Sequence, residues 1–431
     1  MKFTYTALMA VLAATVQAGC TNDGGNWYCS ETNKVIYQGV GYSGSYQDVT
    51  NMDEKSGTCT QQSKAVSGNL APLDEELSVH FRGPLRLKEF AVYYPGNSKQ
   101  NNKRDEEECT SAVIHKHHKH KRATQVVEVT QTVFVNGEGQ TVTSQATHTV
   151  GSTGSPAADI SPLDGQGKAY RSLSTSSAPT TTSGGPATAS AVPSGAWSRS
   201  SHYTPGNTDN CVFMNYFGGS GSGVWSAAFG NSLSYANSDA SGGSSSPVAL
   251  QDTTLKSNQE YVIFSGSKCS GNDCGYYREG TPAYHGFGGA SKLFVFEFEM
   301  PSDNSGSGFN QDMPAIWMLN AKVPRTLQYG NAQCSCWSTG CGELDLFEVL
   351  AAGSDKCVNH LHDGQGKDGS AQGGGGSSDY FKRPTSGSLK AAVIFVDSEV
   401  HILSVDEDFS ATLSEETVQG WISQPGSKAI L

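Results

Sequence analysis

An all-β protein is what this sequence predicts, with a sandwich or jelly roll over residues 201–431 and a smaller cysteine-bearing β-domain over 19–110. Three observations predict it. Strand-like runs recur at Gln259–Ser265, Lys292–Met300, Pro314–Leu319, Gly342–Leu350, Leu389–Val396 and Val400–Val405. Turn residues separate these runs, and no long stretch carries a helical period. A block of roughly 230 residues is enough for one such domain.

The chain opens on Lys2, an apolar run from Tyr5 to Val16, and the small-residue site Val16-Gln17-Ala18. Residues 1–18 therefore read as a cleavable secretory signal, too short for a membrane anchor. In the 19–110 block, Lys34–Gln38, Leu77–Phe81 and Phe90–Tyr94 are strand-like, and Cys20, Cys29, Cys59 and Cys109 permit three pairings. Its ligand is not legible.

Residues 111–200 read as a basic linker, a hairpin and a stalk. HKHHKHKR at 115–122 is open to two readings, a metal site or a solvated basic linker. Lys121-Arg122 at its end suits a dibasic processing protease, which would leave a chain starting at Ala123. The alternation of TQVVEVTQTVFVNGEGQTVTS, with its NGEG turn, predicts a hairpin. Ser, Thr, Ala, Gly and Pro dominate 151–200 and cannot bury enough surface to order themselves. With no Asn-x-Ser/Thr sequon in the chain, sugar on this stalk would be O-linked.

Composition narrows the function. The net charge of −12 argues against a nucleic-acid partner and suits a neutral polysaccharide. No later stretch is apolar enough to span a bilayer, and GWISQPGSKAIL lacks the hydrophobic tail of a glycolipid-anchor signal. The 11 cysteines behind a secretory signal read as disulfides, which leaves a cysteine nucleophile a poor alternative. In the second block Cys269 and Cys274 could close the loop SGND. Its seven cysteines leave one free or paired outside the block.

The line that carries chemistry is CGELDLFEVL, residues 341–350. On a strand Glu343 and Asp345 share one face, and Leu344 and Leu346 share the other. Strict alternation would put Glu348 among the leucines, where a lone carboxylate is costly. A β-bulge near Leu346–Phe347 absorbs one residue and returns Glu348 to the acidic face. Three carboxylates then line one strand, and two of them could flank a glycosidic bond as nucleophile and proton donor. The apolar neighbours mark the strand as central, so acids by chance on a solvated face are a poor explanation.

ELDLFE resembles the bulged Glu-x-Asp-x-x-Glu signature of the laminarinase and Crh-type clan of jelly-roll glycosidases. FVFEFEMP and QDMPAIWMLN resemble the paired strands that precede it. Signal, cysteine-bearing block, Ser/Thr stalk and C-terminal block together resemble the fungal Tos cell-wall protein family. The resemblance implies a concanavalin-like jelly roll, β-1,3-glucan as substrate and a retaining endo-acting mechanism. It implies Glu343 as nucleophile, Asp345 as the assisting residue and Glu348 as acid/base, in a secreted cell-wall protein. The insertion CSCWSTGC departs from the commoner pattern and bears on subsite shape and linkage preference.

Other side chains are candidates for the substrate. Trp317 sits in an apolar run that suits core packing, while Trp337 in the Cys-rich loop suits stacking on a sugar ring. His360 and His362 in Asn359-His360-Leu361-His362-Asp363 share a face. They read as cleft residues bonding sugar or carboxylate, or as structural histidines. With no third ligand at a recognisable spacing, no metal is expected there, and no cofactor is implied. Hydrolysis, transglycosylation and non-catalytic glucan binding remain the competing functions.

Overall fold

The computed structural model describes residues 19–96, 195–365, 370 and 373–431, with the backbone of 134–135 and 141–142. The expected signal, the basic tract with its expected processing site, Cys109 and residues 151–194 of the expected stalk lie outside the described residues. The two backbone pieces belong to a separate body and pair with each other, Phe134–Val135 with Thr141–Val142.

Seven strands of the main body come before residue 97: a short pair, Thr21–Asp23 and Asn26–Tyr28, then β1 (Lys34–Gln38), the hairpin β2–β3 (Gly44–Asp53, Thr58–Val66), β4 (Leu77–Arg82) and β5 (Arg86–Pro95). From the later block come β6 (Trp197–Thr204), β7 (Cys211–Asn215), β8 (Glu260–Ser265), β9 (Lys292–Glu299), β10 (Ala315–Asn320), β11 (Glu343–Glu348), β12 (Lys356–His362), β13 (Leu389–Val396) and β14 (Glu399–Ser404). They build an all-β sandwich, as the sequence predicts. One sheet runs β6-β5-β9-β13-β14-β1, and the other runs β7-β8-β4-β10-β11-β12, with short strands at the edges of each.

Period-two alternation explains why the sheets face each other. On β4, Leu77, Val79 and Phe81 point into the core between the sheets, and Ser78, His80 and Arg82 point away from it. On β13 both faces are apolar. Ala391, Val393 and Phe395 enter the same core, while Ala392, Ile394 and Val396 pack on the outer side of their sheet. That second layer is closed by a helix, Glu415–Ser423, whose Val418, Trp421 and Ile422 lie on one face at helical spacing. Ser414 caps its N-terminus by accepting from the Thr417 amide at 3.0 Å. The buried Lys34 ammonium closes the other end, donating to the carbonyls of Trp421, Ile422 and Gln424 at 2.9, 2.7 and 2.9 Å.

The expected division into an N-terminal β-domain and a self-contained 201–431 domain does not hold. β4 lies between β8 and β10, and β5 lies between β6 and β9, so residues 77–95 occupy inner positions in both sheets. β1 pairs with β14. A disulfide between Cys59 and Cys334 ties the two parts of the chain covalently. Alternation tells which face of a strand is buried and nothing about which strand lies beside it. Cys20–Cys29, Cys269–Cys274 and Cys336–Cys341 close short loops, the middle one being the loop expected. The odd cysteine count is resolved by the Cys334 partner outside the block, and Cys211 and Cys357 are buried free thiols.

Candidate active site

β11 carries the bulge that the carboxylate pattern requires. Opposite β10, Ile316 faces Phe347 and Trp317 faces Asp345, so Leu346 is the extra residue. Leu344, Leu346 and Phe347 all enter the core, and Glu348 returns to the side of Glu343 and Asp345. Just before the strand, Gly342 has a φ of 109°, and a Cβ there would lie 2.9 Å from the Leu73 side chain. Glycine at this position lets the Cys-rich loop turn into β11.

Each carboxylate belongs to a row of cross-strand neighbours. Glu343 sits opposite Leu319 on β10 and His362 on β12. Asp345 sits opposite Trp317 and His360, and beyond Trp317 comes His80 of β4. Glu348 sits opposite Ala315, then Arg82 of β4, then Glu260 of β8. The three acids line one cleft of about 560 Å³ together with Trp317, Trp337, Arg82 and Glu260.

Trp337 approaches from the loop pinned by the Cys336–Cys341 disulfide, and its indole Nε1 donates to Glu343 Oε2 at 2.7 Å. An indole N–H can only donate, so this contact fixes the orientation of the Glu343 carboxylate. Trp317 is buried on the cleft side of β10, stacked on the His80 ring at 5.1 Å, with the Arg82 guanidinium 5.8 Å from its ring centre. It thus forms the floor of the cleft between the carboxylates and β4. His362 Nε2 lies 3.5 Å from Asp345 Oδ2, and the His360 and His362 rings stack 5.9 Å apart. Neither histidine lines the cleft itself. Among the described residues, the group whose ligand atoms converge is elsewhere, at Cys269, Asp273, Cys274 and His285, and its two sulfurs are joined to each other.

Arg82, His80 and Glu260 were not singled out from the sequence. The signal for the first two was the alternation in LSVHFR, which places three polar side chains on one face of an otherwise apolar strand. The β2–β3 hairpin was missed as a support behind the site. Its Tyr46 packs in a cluster with Trp317 and Leu319, and the Gln47 amide donates to Thr339 Oγ1 at 2.9 Å.

His80 predicts a measurable pH effect on stability. Burial pushes its imidazole down to about 3, and its Nε2 lies 2.8 Å from Ser78 Oγ. The unfolded chain, with a histidine near 6.5, binds the proton more readily, so stability is full above about 6.5 and falls as pH drops toward 3. At its steepest the loss is about 1.4 kcal/mol per pH unit. Denaturant unfolding at pH 6.5 and pH 4 should show a smaller difference for His80→Gln than for the wild type.

The chain was compared with known proteins. Two family models match it, "Cell wall protein YJL171C/Tos1, N-terminal" over residues 33–95 and "Cell wall protein YJL171C/Tos1, C-terminal" over residues 195–421. Both matched stretches lie in the one sandwich. The Candida albicans protein named "Probable circularly permuted 1,3-beta-glucanase TOS1" is 62% identical, with all of both chains covered. The Saccharomyces cerevisiae protein of the same name is 54% identical over 100% of this chain and 99% of its own. An Arthroderma benhamiae protein named "Probable circularly permuted 1,3-beta-glucanase" is 35% identical over 98% of this chain and 97% of its own. No solved structure matches. These matches bear out the resemblance to the fungal Tos cell-wall proteins, and the chain belongs to the Tos1/YJL171C cell wall protein family.

Proposed function

We propose that this protein is a secreted cell-wall glucanase that cuts β-1,3-glucan internally by a retaining two-carboxylate reaction. The observation that carries the reading is the placement of Glu343, Asp345 and Glu348 on the cleft side of one bulged strand. The names of the relatives at 62% and 54% identity support the polymer and the linkage.

In the first step Glu343 attacks the anomeric carbon while Glu348 gives its proton to the departing glycosidic oxygen. The products are a glycosyl ester on Glu343 and a free chain end. In the second step Glu348 takes a proton from water, whose oxygen displaces Glu343 from the same carbon. Trp337 orients the nucleophile, and Asp345, held at 3.5 Å from His362, supplies charge between the two glutamates. The order of the chain, with residues 34–95 completing a sandwich begun by later strands, suits a circularly permuted glycosidase.

The test is product analysis on β-1,3-linked oligosaccharides of defined length, wild type beside Glu343→Gln. Wild type should release shorter oligosaccharides and the variant none. Products longer than the substrate would assign transfer to another glucan chain in place of hydrolysis. No product from the wild type, or equal turnover by the variant, would contradict the reading.

A further inference from the structure

Glu348 belongs to a row of cross-strand neighbours that includes β8, β4, β10 and β11. Arg82 faces Glu260 on one side and Ala315 on the other, and Ala315 faces Glu348. Because alanine offers only a methyl group, the guanidinium can reach over β10, and its Nη2 stands 3.4 Å from Glu348 Oε1. That is long for a charge-assisted bond, which closes to about 2.7–2.9 Å in a dedicated pair. Lys64 and Glu75 make such a pair at 2.7 Å. Arg82 is held back from a closer approach by its Nε, which donates to the Met313 carbonyl at 2.9 Å, and by its seat beside the Trp317 ring.

On its other side Arg82 stands opposite Glu260 of β8 in the strand pairing, and both line the cleft. Both Glu260 oxygens lie within reach of the Tyr329 hydroxyl, at 3.0 and 2.8 Å, and the same carboxylate lines the cleft that holds Glu348. One cation therefore stands between two carboxylates in the row.

We propose that Glu260 is a positioning residue that shares the charge of Arg82 and so allows Glu348 to hold the proton it must deliver. The proposal rests on the reading of Glu348 as the acid/base. A cation beside a carboxyl group favours the ionised form, whereas the first step needs the protonated one. In its ionised form Glu260 offsets that cation from the far side of Arg82 and also repels a charge on Glu348, and both effects favour the proton.

Asp345 faces Glu348 from its own strand and lies near His362 of β12. The Tyr28 hydroxyl and the Cys357 thiol of β12 feel Glu348, but burial pushes both up to about 12, so they stay neutral in the working range. Glu260 itself meets Arg82, Tyr329 and Tyr216, both tyrosines pushed well up by burial. Burial raises Glu260 above the usual carboxylate range, and Arg82 acts against that rise.

The experiment has two readouts on the full chain. The pH profile of kcat/KM on a β-1,3-linked oligosaccharide should have a basic limb set by loss of the Glu348 proton. Glu260→Gln should move that limb down by about one pH unit, and Arg82→Gln should move it up by a similar amount. Opposite displacements are the signature, because a merely structural role would lower activity at every pH and leave the limb in place. The second readout needs no turnover. It follows the titration of Glu348 by carbon NMR on chain labelled at its glutamate carboxyls, with the signal assigned by Glu348→Gln. Glu260→Gln should lower its midpoint and Arg82→Gln should raise it. Unmoved midpoints in both folded variants overturn the proposal, while moved midpoints without wild-type turnover sink only the glycosidase reading.

Discussion

Glu343→Ala should lose glucan turnover by about 10⁴-fold or more, because the proposed reaction takes its attacking oxygen from this side chain. The loss should be reversible by chemistry. Azide can occupy the space of the deleted carboxylate and attack the anomeric carbon of a β-glycosyl fluoride, whose fluoride leaves with little need of protonation. The product should be the α-glycosyl azide. Glu348→Ala should cost about 10²–10⁴-fold on glucan and much less in the first step of an activated substrate. With azide it should give the β-glycosyl azide, since the anion then intercepts the ester on Glu343. Product configuration by NMR thus assigns the two roles separately. If the azides have the opposite configurations, the roles are exchanged, and if neither substitution lowers activity, the site lies elsewhere.

A chain reduced to residues 201–431 should not fold. It lacks β4 and β5, and with them Leu77, Val79, Phe81, Leu87, Phe90 and Val92, all in the core between the sheets. Burying such a side chain contributes about 1.5–3 kcal/mol, so six of them match or exceed the roughly 5–15 kcal/mol by which a domain is stable. The cut would also leave β8 and β10 without the strand that joins them and expose their inner hydrogen-bonding edges. Circular dichroism and thermal unfolding should show no cooperative transition for this fragment. A fragment carrying residues 19–96 joined to 195–431 should keep one. Cooperative unfolding of 201–431 alone would contradict the topology.

The local structure of the site was legible in the sequence, and its surroundings were not. Leu344 and Leu346 show which side of β11 is core, and the cost of burying Glu348 predicts the bulge that the strand pairing contains. The disulfide loop at Cys269–Cys274 was also within reach, because the spacing is local. Cys59–Cys334 was not, since the two positions are 275 residues apart and only the folded topology brings them together. Arg82 and Glu260 escaped for the same reason. Each belongs to a strand whose face can be read and whose neighbour cannot, so their meeting with Glu348 across Ala315 exists only in the sheet order. The C-terminal helix was overlooked because its nine residues are too few for the period of Val418, Trp421 and Ile422 to stand out.

The most direct measurement of the central claim, two glutamates of one bulged strand acting in a double displacement, is the stereochemistry of the first-formed product. Wild-type protein mixed with a β-1,3-linked oligosaccharide should be followed by proton NMR at the anomeric position before mutarotation sets in. Two successive inversions at one carbon return the starting configuration, so the β-anomer of the new reducing end should appear first and the α-anomer only later. If the α-anomer forms first, a single displacement by water is at work, and Glu343 is not a nucleophile.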